Sequence, residues 1–155
     1  MTYAVAFRDI NAQPIAAVRC TATQETLGQT IQEALGEVWD HLRRSPPGAT
    51  GRNVVLYLDD ALTLDIGVEI QPPFTASESV RPSATPSGPV ATTVHYGAYQ
   101  RLPEAHRAIR EQCAREQRAL AGPSWEVYGH WTDDPSQLTT EVVYLLDESE
   151  EPGAA

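Results

Sequence analysis

Glu141 stands at the head of an apolar run, Val142-Val143-Tyr144-Leu145-Leu146. A carboxylate in such a strand has two readings. Pointing outward, it is an ordinary solvated group. Pointing inward, it is expensive to bury without a partner, so it either raises its pKa or waits for a cation. Glu126, Tyr128 and His130 share one face of the segment 124–131, and Trp125, Val127 and Trp131 share the other. One of these faces must be core. Either the tryptophans pack under helices and Tyr128 is half exposed, or Tyr128 offers its ring and hydroxyl to a ligand. Aromatic faces attract cations by about 0.5–2 kcal/mol each. Tyr128, Tyr144, Tyr96 and Trp131 are the aromatic residues that could supply apolar and π surface to a site. His95 closes a strand before a helix, where a histidine more often bonds nearby backbone than does chemistry. The four histidines show no HxxxH or HExxH spacing, and Cys20 and Cys113 stand alone, so no metal site is expected. No GxGxxG, Walker-type loop or GxSxG occurs, which leaves nucleotide cofactors and an esterase elbow unsupported. No cofactor is expected.

The elements that must hold these residues follow from apolar spacing. Residues 2–8 and 15–21 read as strands joined at Asn11-Ala-Gln-Pro14 into a hairpin. Thr23 reads as the N-cap of a helix over 24–44, with Leu27, Ile31, Leu35, Val38 or Trp39, and Leu42 as its apolar stripe. Strands follow at 53–58 and 62–70. Residues 71–88, rich in Pro and Ser, read as a linker or an arm crossing the molecule. A strand at 89–96 leads into a helix over about 100–120, whose inner face carries Leu102, His106 or Ala105, Ile109, Cys113 and Leu120. Strands at 124–131 and 138–146 end the pattern.

Composition narrows the function. With 21 acidic and 11 basic residues the net charge is −10, the wrong sign for a phosphate backbone or an anionic membrane surface. At 41% hydrophobic the chain can bury a core, yet no apolar run approaches the roughly 20 residues of a membrane span. The N-terminus lacks the basic-then-apolar pattern of a signal peptide. Two lone cysteines fit a reducing cytoplasm. Residues 147–155, with Asp147, Glu148, Glu150 and Glu151, read as a disordered acidic tail.

The element order repeats. A single constant offset aligns Val18-Arg19 with Val94-His95, Ala22-Thr23-Gln24 with Ala98-Tyr99-Gln100, and Leu62-Thr63-Leu64-Asp65-Ile66 with Leu138-Thr139-Thr140-Glu141-Val142. The expectation is one α+β domain over 1–146: a β-α-β-β unit at 1–70, a linker at 71–88 and a second unit at 89–146. Each unit has too little core to stand alone. Paired about a pseudo-twofold axis, their antiparallel sheets would leave a central cleft, with Asp65 and Glu141 as pseudo-equivalent acids.

These residues carry a resemblance. Pro89-Val90 through His95-Tyr96-Gly97-Ala98-Tyr99, followed by Leu102, resembles the "P…H.G.Y..L" signature of the GyrI-like small-molecule-binding domain. This is the effector-binding domain of AraC-type and BmrR-type multidrug-sensing regulators. Glu126-Val127-Tyr128 followed by Asp133-Asp134-Pro135 resembles its "E.Y…DP" segment, and Thr140-Glu141-Val142 its final strand. The match is clearest over 89–146, and Ala98 stands where the family usually has Pro. The resemblance implies an aromatic cleft around a buried acid that faces lipophilic cations. Carried over, the acid is Glu141, with Tyr128 and Glu126 on the neighbouring strand. The residues before the first helix are too few for a helix-turn-helix, so the expectation is a stand-alone, non-enzymatic module for a small hydrophobic or cationic ligand. Two alternatives accompany it. One is a hydrolase of strained cyclopropane-bearing natural products, with Glu141 and Tyr128 positioning water and protonating a leaving group. The other is an interaction protein acting on a partner such as DNA gyrase.

Overall fold

The computed structural model describes residues 2–130 and 132–148. Among them run β1 (Ala6–Ile10), β2 (Pro14–Thr21), α1 (Leu27–Arg44), β3 (Ala49–Tyr57), β4 (Thr63–Gln71), β5 (Arg81–Ala84), β6 (Gly88–Tyr96), α2 (Leu102–Arg115), β7 (Leu120–Tyr128) and β8 (Thr139–Leu146). Short 3-10 turns occupy Tyr99–Arg101 and Pro135–Gln137. The fold is α+β, and strand-helix-strand-strand occurs twice, as β2-α1-β3-β4 and β6-α2-β7-β8. No helix among the described residues is long and apolar enough to cross a membrane. Trp131 and most of the expected acidic tail, 149–155, lie outside the described residues.

The chain forms two compact units, Ala12–Pro86 on one side and Met1–Asn11 with Ser87–Ala155 on the other. In the first, the strand order is β3-β4-β2-β5. Ala16, Val68 and Ile70 of the sheet meet Val38 and Leu42 of α1, with Val80 closing the cluster. Each fully buried Val or Leu of this kind contributes about 1.5–3 kcal/mol. Gly67 sits where β4 runs closest to β2, and a Cβ there would meet the Ala16 carbonyl oxygen. Helix α1 starts later than expected. The Thr23 and Thr26 side chains each bond the other's backbone N–H, closing a separate turn ahead of Leu27.

In the second unit the order is β1-β6-β8-β7. Ala91, Val142, Tyr144 and Leu146 face Leu102, Ala105, Ile109 and Cys113 of α2. Helix α2 ends at Arg115, earlier than expected. Gln117 takes a left-handed φ of 56° and Arg118 N–H closes on the Cys113 carbonyl. Both β3 and β7 carry a register shift near their start, between Thr50 and Asn53 and between Leu120 and Ser124.

Two expectations are corrected. Residues 2–8 and 15–21 do not form a hairpin: β1 pairs with β6, while β2 lies between β4 and β5. The segment 71–88 is not a bare linker, because Val80 is buried and Arg81–Ala84 forms β5 against β2. The strand ahead of each repeat thus pairs with the first strand of the other repeat. Pro82 is tolerated because β5 ends its sheet order and needs no donor on its outer side.

Candidate functional site

Strand register decides which acids share a face. In β8, Val142 and Tyr144 point to α2, so Glu141 points away, flanked by its pair partners Val94 and Val127. Glu141 accepts a hydrogen bond from Arg8 Nη2 at 2.7 Å and a longer one from Thr92 Oγ1 at 3.5 Å. Its side chain is 24% exposed and that of Arg8 51%, so this is a half-open ion pair. Tyr96 lies on the same face and is exposed.

Asp65 occupies the corresponding place in β4. It is buried, and Arg19 grips both its oxygens, from Nε at 2.8 Å and Nη2 at 2.9 Å, while Ser83 Oγ donates at 2.7 Å. Burial opposes its ionisation. The Arg19 and Ser83 hydrogen bonds with the Arg19 charge outweigh that cost and hold the carboxyl below its usual range.

Glu126 is different. It pairs with Val142, so it and Tyr128 lie on the α2 side of the sheet, the opposite face from Glu141. Glu141 and Tyr128 are therefore not brought together; Glu126 and Tyr128 are. Glu126 is 5% exposed. Tyr128 donates to its Oε1 at 2.5 Å, and His106 Nε2 lies 2.7 Å from its Oε2. The other ring nitrogen of His106, Nδ1, is 2.7 Å from the Tyr144 hydroxyl, and Arg110 Nη1 donates to that hydroxyl at 3.0 Å. Burial pushes the Tyr144 phenol above its usual range, Arg110 opposes this, and the Glu126 charge adds to it. Tyr144 is thus a protonated donor at neutral pH. Tyr99 stands edge-on to Tyr128 with ring centroids 5.5 Å apart. It is placed there by Gly97, whose φ of +112° ends β6 and opens the 3-10 turn.

His95 is fully buried on the same side, with Nε2 donating to the Ala98 carbonyl at 2.8 Å and Nδ1 2.9 Å from the Tyr3 hydroxyl. Its contacts are those of a structural histidine. Thr140, paired to both His95 and Tyr128, is fully buried, and its Oγ1 has no hydrogen-bond partner among the described residues. Among the described residues no cluster of His, Cys, Asp and Glu is arranged to hold a metal. A shallow depression of about 130 Å³ lies in the other unit between Gln13, Gly51, Glu69 and Gln71, and holds none of these residues.

The repeats can be aligned on their ladders. Val68 pairs with Asn53 as Tyr144 pairs with Ser124, and Ile66 pairs with Val55 as Val142 pairs with Glu126. Val55 thus corresponds to Glu126 and Val68 to Tyr144. On the helices, buried Ala34, Val38 and Leu42 match Ala105, Ile109 and Cys113 in spacing, which sets Leu35 against His106 and Trp39 against Arg110. Four positions that are apolar beneath α1 carry the linked polar groups beneath α2. His106 was visible in the sequence only as an inward position of its helix. Arg110, one turn on, carried no signal of its own.

The sequence matches the GyrI-like small molecule binding domain over residues 3–146. No curated protein sequence matches. Among solved structures, the EcmrR C-terminal domain is similar at a TM-score of 0.80 and 15% identity, covering 95% of this chain and 99% of that one. EcmrR in complex with DNA is also similar, and there this chain spans 57% of the neighbour. SAV2435 bound to tetraphenylphosphonium has a TM-score of 0.70 at 13% identity, covering 97% and 96% of the two chains. A hydrolase from Listeria innocua has a TM-score of 0.59 at 9% identity, covering 92% and 91%. With the duplicated fold and the motif residues in place, the match across almost the whole described chain makes this protein a member of the GyrI-like small-molecule-binding domain family.

Proposed function

We propose that the chain binds lipophilic cations, with Glu126 as the anionic anchor and Tyr128, Tyr99 and Tyr144 as the aromatic surface beside it. One observation carries this. Glu126 is a buried carboxylate whose ion pair is with a histidine, charged only if protonated, and whose second oxygen is held by a phenol. Asp65 and Glu141 are each paired with an arginine, which is always charged. A buried carboxylate attracts a cation strongly, and aromatic rings add to it. The neighbour bound to tetraphenylphosphonium supports the ligand class.

Calorimetric titration with tetraphenylphosphonium and a panel of cationic dyes tests the proposal. Binding is expected in the micromolar range, falling about tenfold or more in Glu126→Gln, a loss of about 1.4 kcal/mol. Absence of binding across the panel, or equal affinity in the variant, overturns it.

A second reading rests on the same contacts. A carboxylate, an imidazole and a phenol joined by short hydrogen bonds form an acid–base set within one unit. Under this reading Glu126, rather than Glu141, activates water against a strained electrophile while Tyr128 supplies a proton. Turnover of a cyclopropane-bearing substrate, lost in Glu126→Gln, would establish it.

A further inference from the structure

We propose that Arg110 and Tyr144 are positioning residues that set the charge selectivity of this site, through a chain of hydrogen bonds running one way from Arg110 to Glu126. The inference rests on the cation-binding reading and deepens it.

The direction follows from what each group can do. A guanidinium only donates, so Arg110 gives a proton to the Tyr144 oxygen at 3.0 Å. Arg110 thus occupies one acceptor position of Tyr144; Nε2 of a singly protonated His106 carries its proton toward the Glu126 carboxylate, so the phenol's own proton goes to Nδ1 at 2.7 Å. An imidazole that accepts at Nδ1 carries its proton on Nε2, and that proton points to Glu126 Oε2 at 2.7 Å. Tyr128 donates to the remaining oxygen, Oε1. Both carboxylate oxygens accept, and each bond polarises the next.

The chain also explains why an arginine here does not neutralise the acid. Arg19 sits directly on Asp65. Arg110 is exposed on α2 and is joined to Glu126 through Tyr144 and His106 rather than by a direct ion pair of the Arg19–Asp65 kind. His106 is bonded to Tyr144 from β8 and Glu126 from β7, with Arg110 of its own helix on the former and Tyr128 on the latter. The fold itself does not require this layer. The corresponding positions Leu35, Trp39, Val55 and Val68 carry hydrophobic side chains.

The test compares an aryl-alkyl trimethylammonium salt with its uncharged tert-butyl isostere on the full chain. In Tyr144→Phe, cation affinity is expected to fall about fivefold while the isostere changes less than about twofold, as for loss of one charge-assisted hydrogen-bond chain. The exposed Arg110→Leu should give about threefold in the same sense, and Arg110→Lys, which also only donates, should restore most of it. Nitrogen-15 spectra of the imidazole should show His106 as the Nε2–H tautomer in the wild type. Equal weakening of both ligands, or a proton on His106 Nδ1, whether in the Nδ1–H tautomer or in the doubly protonated ring, overturns the inference. Selectivity unchanged in Arg110→Leu and Tyr144→Phe, while Glu126→Gln still loses the cation, overturns it and spares the binding site. Selectivity unchanged even in Glu126→Gln overturns the cation site together with it.

Discussion

The layer beneath α1 and the layer beneath α2 occupy corresponding positions of one repeated scaffold and are built from opposite materials. Beneath α1, Val38, Leu42, Val68 and Ile70 meet as hydrocarbon, with Trp39 Nε1 donating to Asn53 Oδ1 at 2.9 Å near the edge. Beneath α2, Glu126, His106, Tyr144 and Arg110 form a polar chain beside an apolar cluster of Ile109, Cys113 and Val142. Duplication lets one copy supply stability while the other gives up some of its apolar contacts to hold a charge. A buried, fully bonded carboxylate is rarely a net source of stability compared with a well-packed apolar group. Such a carboxylate, Glu126, lies on the α2 side of its sheet, whereas Asp65 of the other copy lies on the face away from α1 and is held by Arg19.

The largest expected effect lies in the hydrocarbon layer. Leu42→Ala removes a buried side chain from the α1 cluster and should cost about 3 kcal/mol of unfolding free energy in urea, within the range for such truncations. Ligand affinity measured on the folded fraction should not change. A loss of affinity in the folded protein would mean that the α1 layer also shapes the site.

Next comes the polar layer. Glu126→Leu alone removes the acceptor that His106 Nε2 and the Tyr128 hydroxyl share and should cost about 2 kcal/mol. Converting the layer as a set, with Glu126→Leu, His106→Leu and Tyr144→Phe, imitates the α1 side. It should recover that loss or exceed wild-type stability by about 1 kcal/mol, while cation binding disappears. A triple variant less stable than the single one would show that the polar chain is itself a structural requirement.

How much of this was readable in advance depended on range. The helices and most strands follow from local apolar periodicity, and the duplication from aligned short matches. The expected hairpin failed because pairing is not local: Ala6 to Ile10 finds its partner in Gly88 to Thr92, and a turn at Asn11–Pro14 serves a chain moving between units as well as one folding back. Strand β5 was hidden because a short edge strand with Pro82 looks like the linker around it. Glu126, Tyr128, Tyr144 and Glu141 were all singled out from their types, but which of them share a face depends on the register of β7 against β8. A one-residue slip would have exchanged Glu126 for Val127. His106 could be placed on the inner face of α2, but its partners lie 20 and 38 residues away, and no local rule reaches that far.

A smaller effect separates the two arginine-paired acids. Asp65 is held below its usual pKa in the folded chain, so it contributes stability above the unfolded carboxyl value near pH 4 and loses it as pH falls through the lower folded value. Asp65→Asn should cost about 1–2 kcal/mol at pH 7, since the released Arg19 is largely exposed and regains water. The difference from wild type should shrink below pH 4. A constant difference across that range would show that Asp65 acts through shape rather than charge.

The smallest expected effect decides between the two candidate anchors. Arg8 is half exposed, and its pair with Glu141 should be worth less than about 1 kcal/mol, screened by added salt. Arg8→Ala is therefore close to silent in stability, yet it leaves Glu141 without its arginine on the face that carries Tyr96 and Val94. If Glu126 is the anchor, tetraphenylphosphonium affinity in Arg8→Ala should stay within about twofold of wild type, because the charge released lies across the sheet from the ligand. If Glu141 is the anchor, removing its competing cation must tighten binding, and Glu141→Gln must then erase the gain. That single substitution sorts the two faces of the same strand pair by function at almost no cost to the fold.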